Sequence, residues 1–97
     1  MTERLRATIR GQVQGVGFRW FVRHQAFGLG LTGWVANERD GSVSVLAEGS
    51  RMNLERLLAE LHAGPPAASV EEVQTIWEPA RDEFARFETR HGSHRGD

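Results

Sequence analysis

The segment Arg4-Leu5-Arg6-Ala7-Thr8-Ile9-Arg10-Gly11-Gln12-Val13-Gln14-Gly15-Val16-Gly17-Phe18-Arg19-Trp20-Phe21-Val22 changes period partway along. Leu5, Ala7, Ile9, Gly11 and Val13 alternate with Arg4, Arg6, Thr8, Arg10 and Gln12. A two-residue period with one apolar face predicts a half-buried strand. Gly15 and Gly17 break it. Beyond them Phe18, Val22, Ala26 and Leu29 fall at spacings of four, four and three, one face of a helix. Gly28 and Gly30 weaken that helix's end and stop it.

Outward from this strand–loop–helix unit, residues 32–36 read as a second strand. Asp40-Gly41 is a turn signal. Val43, Val45 and Ala47 alternate with Ser42, Ser44 and Leu46, giving a third strand that closes a hairpin. Ser50 is placed to cap a helix whose Leu54, Leu57, Leu58 and Leu61 form an i, i+3, i+4, i+7 stripe. Gly64-Pro65-Pro66 ends it. Val70 to Trp77 reads as a fourth strand, and Phe84 to Arg90 as a short last one. The order β-α-β-β-α-β, with an extra β, predicts an α+β fold. Right-handed βαβ halves interleave into a ferredoxin-like α/β sandwich. The expected sheet is antiparallel, of four to five strands, with two helices on one face. That architecture hosts enzymes, RNA binders and metal chaperones alike, so function has to come from a site.

The chain has 97 residues, enough for one domain, expected over 1–90. Residues 91–97 are polar, glycine-interrupted and terminal, and read as a flexible tail. Apolar residues are 39 % of the chain, and the 11 glycines bring the share to that of a globular protein. No apolar run approaches the ~18 residues of a membrane span, and no leader pattern stands at the start, so a cytoplasmic protein without a membrane partner is expected. Cysteine is absent, which removes disulfides, thiolate nucleophiles and thiolate metal sites. All 12 basic residues are arginine, which removes Schiff-base chemistry and the phosphate-loop lysine. A net charge of −1 argues against a nucleic-acid binder.

The loop carries the chemistry. Glycines at 15 and 17 let successive backbone N–H groups turn inward into an anion nest, and the helix N-terminus adds positive potential. Arg19 stands where the helix begins, so its forked guanidinium can close over a phosphate. A Walker A loop is excluded for want of Lys followed by Ser or Thr. The dinucleotide pattern needs glycine at 20, where Trp20 stands. Gly17 to Val22 superficially resembles an RNA-binding aromatic motif, but that motif belongs on a strand. Taken alone, the loop reads more readily as a glycine-rich turn that only shortens the connection.

Two blocks together are more specific. Gly11-x-Val13-Gln14-Gly15-Val16-Gly17-Phe18-Arg19 resembles the signature of the acylphosphatases. Gly30-Leu31-Thr32-Gly33-Trp34-Val35-Ala36-Asn37, followed by Asp40-Gly41-Ser42-Val43, resembles the second block. The likeness continues through Ala47-x-Gly49, the leucine helix and Gly64-Pro65, and spans roughly residues 5 to 90. It implies a ferredoxin-like hydrolase, free of metal or other cofactor, that cleaves the carboxyl–phosphate bond of a small acyl phosphate to a carboxylate and inorganic phosphate. It further implies that the amides of Gln14, Gly15, Val16, Gly17 and Phe18, with Arg19, bind the phosphoryl group. Asn37 is implied to orient the attacking water for in-line attack on phosphorus. Ala36 departs from relatives that carry a larger residue there, Gly28 from a better helix former, and the tail from the usual end.

Other polar and aromatic residues have structural readings. His24 is read as a surface histidine, and His62 as a cation suited to a helix C-terminus. His91 and His94 have metal-like spacing but lie in the tail. Trp34 and Trp77 are expected to pack, and Trp20 to pack or shelter the phosphate. Glu71-Glu72 is a solvated strand start. Glu38, Arg39 and Asp40 are expected in the turn beside Asn37. The alternative to an enzyme is a phosphate-recognising or regulatory module on the same fold; the family's domain also occurs inside larger carbamoyl-transfer proteins. A monomer is the expected state.

Overall fold

A computed structural model describes residues 2–91. The chain runs β1 (Thr2–Gln12), α1 (Phe18–Gly28), β2 (Thr32–Asn37), β3 (Val43–Ser50), α2 (Arg51–Ala63), β4 (Ser69–Pro79) and β5 (Phe87–Arg90). One five-stranded sheet has the order β4-β1-β3-β2-β5. The first four strands and two helices make the ferredoxin-like sandwich that the element order predicts.

Alternation sets the two faces of the sheet. Leu5, Ala7 and Ile9 of β1, Val35 of β2 and Val43, Val45 and Ala47 of β3 point one way. There they meet Phe18, Val22 and Ala26 of α1 and Leu54, Leu57 and Leu61 of α2 in one buried cluster. Burying a leucine or phenylalanine side chain in such a layer stabilises by ~1.5–3 kcal/mol, so this face holds both helices down. Ser50 caps α2 as its position predicts, accepting a hydrogen bond from Asn53 N–H at 3.2 Å. At the end of α1, Leu31 N–H reaches Ala26 O at 2.9 Å and Gly30 N–H reaches Phe27 O at 3.1 Å, a Schellman closure.

The sheet is mixed, where an antiparallel one was expected. β1–β3, β1–β4 and β2–β3 pair antiparallel, but β2–β5 pair parallel. The cause lies in the route of the chain. β4 and β5 occupy opposite edges, so residues 80–86 must cross the sheet. β4 runs against β2, and the chain reverses during the crossing, so β5 enters alongside β2. The last strand also begins later than the pattern suggested, at Phe87 instead of Phe84.

The crossing uses the face away from the helices and buries what β1's pattern assigned to water. Arg4 is 1 % exposed and Glu48, its partner in register on β3, 3 %. Arg4 Nε donates to Glu48 Oε2 at 2.8 Å, and its other nitrogens meet Glu83 and Glu78. Glu48 also accepts the N–H groups of Arg81 at 2.9 Å and Asp82 at 3.0 Å, so one carboxylate anchors the crossing chain. Burial alone pushes the Glu48 carboxyl up. The N–H of Arg81, the Arg4 guanidinium and the N–H of Asp82 outweigh it and hold it below its ordinary value. Burial likewise disfavours the Arg4 cation, but the carboxylates of Glu83 and Glu48 leave its pKa raised.

Candidate active site

Residues 13–17 connect β1 to α1. A register shift at Arg10/Gly11 bends the end of β1 as it enters this loop. Val13 is buried and fixes the loop's start, and Val16 packs against the core. The Gln14 side chain donates from Nε2 to Glu38 O and Ser42 O, both at 2.8 Å, which ties the loop to the β2–β3 turn. Gly15 and Gly17 have φ of 74° and 79°, the left-handed region that glycine enters without strain.

The loop delivers an uncapped helix. Gly17 is the N-cap of α1, no side chain among the described residues caps this end, and the first turn has no acidic residue. The first hydrogen bond here runs from Phe21 N–H to Gly17 O at 3.0 Å. The N–H groups of Phe18, Arg19 and Trp20 therefore have no partner within the helix. Polar donors left in this way, with the positive end of the helix dipole, favour an anion.

These groups border a pocket of about 350 Å³. Gly15, Gly17, Phe18 and Arg19 line it, and Asn37, the last residue of β2, stands in the same pocket. The loop signature and the asparagine, apart in sequence, are thus brought together. Gln14 and Val16 do not line the pocket: one braces the loop and the other packs beneath it. Arg19 Nη1 donates to Arg90 O at 3.0 Å, so the end of β5 holds the guanidinium.

Two further lining residues, Arg23 and Thr89, escaped the reading of the sequence. Arg23 carried a signal, standing four residues after Arg19 on the same helical face. Thr89 carried none, since β5 reaches the site only by pairing with β2. Trp20 also lines the pocket and is 66 % exposed, with the His24 ring stacked on it at 5.0 Å and 10°.

The neighbouring turn is held by charge. Asp40 accepts from Ser42 Oγ at 2.6 Å, Ser42 N–H at 3.0 Å and Arg10 Nη1 at 3.0 Å. These donors, Ser42 first, pull its carboxyl down to about 2. Glu38, Arg39 and Asp40 line a separate hollow with Thr8, Arg10 and Ser44 and do not enter the pocket of Arg19. His62 lies in the last turn of α2, and Glu71 and Glu72 are exposed on β4. Trp34 lies under the Arg90 guanidinium at 5.3 Å, and Trp77 under that of Arg51 at 3.6 Å. His91 is exposed; His94 and the rest of the predicted tail, residues 92–97, lie outside the described residues. Among the described residues no three His, Asp or Glu side chains gather where they could hold a metal ion.

The sequence profile of the acylphosphatase family matches residues 5–89. An acylphosphatase of Mycobacterium sp. (strain KMS) is 48 % identical over 87 residues, covering 90 % of this chain and 93 % of the relative. One from Salinibacter ruber is 50 % identical over 88 residues, covering 91 % and 93 %. Among solved structures, the acylphosphatase from Bacillus subtilis superposes with a TM-score of 0.89 at 34 % identity, over 92 % of this chain and 99 % of that one. A profile match over nearly the whole chain, relatives about half identical and a superposition of this closeness place the chain in the acylphosphatase family of hydrolases.

Proposed function

We propose that the protein hydrolyses small acyl phosphates by in-line attack of water on phosphorus. One observation carries this reading: the uncapped α1 N-terminus with its glycine loop, Arg19 and Asn37 border a single pocket. The loop amides, with those of Gly15, Gly17 and Phe18 in the pocket's lining, and the Arg19 guanidinium bind the phosphoryl oxygens. Phosphoryl transfer passes through a loose transition state with charge spread over the equatorial oxygens. Preorganised N–H donors and one guanidinium match that charge and need no reorganisation as it develops.

Asn37 has no basic nitrogen near neutral pH. Its carboxamide holds and aims the water, a contribution of position rather than proton transfer. An oxygen–phosphorus bond forms to water, and the bridging oxygen–phosphorus bond breaks with its electron pair going to the carboxylate. An acyl phosphate dianion and water give one carboxylate and one dihydrogen phosphate, the water's proton passing to a phosphate oxygen. A carboxylate leaves without a general acid, and in this reading the loop amides and Arg19 supply the charge stabilisation without a metal. The reading also gives a cytoplasmic monomer.

The site of bond cleavage tests it. Hydrolysis of benzoyl phosphate in oxygen-18 water is expected to place one labelled oxygen in phosphate and none in benzoate. Label in benzoate would mean attack on the carbonyl and would overturn the mechanism.

A further inference from the structure

A second hollow, of about 360 Å³, adjoins the phosphate pocket and shares Trp20 and Arg23 with it. Its other walls are His24, Phe27, Arg86 and Phe87. We propose that this hollow holds the acyl part of the substrate and selects flat, apolar acyl groups over short alkyl ones. The inference rests on the hydrolysis of acyl phosphates described above.

Three observations carry it. The first is continuity. Asn37 lines the phosphate pocket and not the second hollow. In-line displacement sends the acyl oxygen away from the water, and the hollow beyond Trp20 and Arg23 offers room on a side that Asn37 does not occupy. The second is exposure without a packing role. Phe27 is 83 % exposed and Trp20 66 %, about two helical turns apart on one side of α1, while Phe18, Val22 and Ala26 supply that helix's buried face. Large rings left in water cost hydrophobic free energy that binding an apolar group would recover.

The third is shape. The Trp20 indole with the His24 ring stacked on it, the Phe27 ring and the guanidinium planes of Arg23 and Arg86 are all flat surfaces. Rings and guanidinium planes stack on aromatic groups and gain little from a methyl group. Arg23 makes no ion pair or hydrogen bond among the described residues, so its plane is available at the junction of the two hollows. Among the described residues the Arg86 guanidinium meets only the distant Glu88 carboxylate, at 3.9 Å.

The test compares kcat/KM for benzoyl phosphate with that for acetyl phosphate, in wild type, Trp20→Ala, Phe27→Ala and Trp20→Phe. The difference in intrinsic reactivity of the two substrates cancels when variants are compared with wild type. The benzoyl-to-acetyl ratio is expected to fall roughly tenfold in each alanine variant, with the loss in KM for benzoyl phosphate, and to recover in Trp20→Phe. Both rings are exposed, so the variants are expected to fold, which circular dichroism checks. An unchanged ratio in both alanine variants, with wild type active, overturns the acyl subsite and leaves the hydrolytic reading standing. A wild type that hydrolyses neither substrate overturns both.

Discussion

Single residues in this protein act through the partners they hold. Gln14 belongs to the loop whose backbone amides are expected to donate, and its side chain also ties that loop to the Glu38 and Ser42 carbonyls. Nothing in the local pattern announces such a tether, because its acceptors lie across the sequence. Asp40 is similar. The turn signal Asp40-Gly41 was legible; the Ser42 and Arg10 donors that hold its carboxyl at about 2 became visible only with the strands paired. The sign of its effect follows. Its folded pKa lies below the ~3.9 of an unperturbed aspartate, so its stabilisation is complete above that value and is lost as pH falls toward 2. Asp40→Ala is expected to lower Tm modestly at pH 7. Thermal melts from pH 7 to pH 2 check this: the gap to wild type narrows below pH 4 and closes near pH 2.

At the scale of elements, period and punctuation did most of the work. The switch from alternation in β1 to the spacing of Phe18, Val22 and Ala26 located α1, and Ser50 and Gly64 bracketed α2. The same logic failed for the last strand. Four residues are too short for a period to assert itself, and the parallel partner of β5 is set by a crossing that no local signal encodes. One glycine shows what the sheet demands. Gly33 in β2 has φ of 137°, and a Cβ built there would stand 1.9 Å from Leu46 O of the neighbouring strand. Its N–H donates to Arg86 O at 3.0 Å, which seats the start of β5. Gly33→Ala is expected to destabilise the fold by about 3 kcal/mol or more, from a strained backbone and a displaced strand together. Urea unfolding measures it. A midpoint equal to wild type would contradict this account of the β2–β3 approach.

The candidate site is lined from distant parts of the chain: the β1–α1 loop and start of α1 from one end, Asn37 from the middle and Thr89 and the Arg90 carbonyl from the other. The first two were readable because their motifs are long and specific. The third was not, because the chain reaches that edge only by crossing the sheet over the buried Arg4–Glu48 pair. Alternation gave Arg4 to solvent; the crossing put it inside. A broken buried pair leaves an uncompensated charge, so Glu48→Ala is expected to cost about 3–5 kcal/mol. Because the Glu48 carboxyl is held below its ordinary value, its contribution is present at neutral pH and is lost as pH falls through its folded pKa. The acid limb of the stability curve is therefore expected to flatten in Glu48→Gln; a limb as steep as wild type's would contradict it. The central claim is that the loop, Arg19 and Asn37 act as one phosphoryl-transfer site. Steady-state hydrolysis of benzoyl phosphate in the presence of EDTA, by wild type, Arg19→Ala and Asn37→Ala, tests it most directly. The account predicts fast wild-type turnover, near-complete loss in Arg19→Ala through both kcat and KM, and a loss confined mainly to kcat in Asn37→Ala. A folded Asn37→Ala protein with wild-type turnover would contradict it.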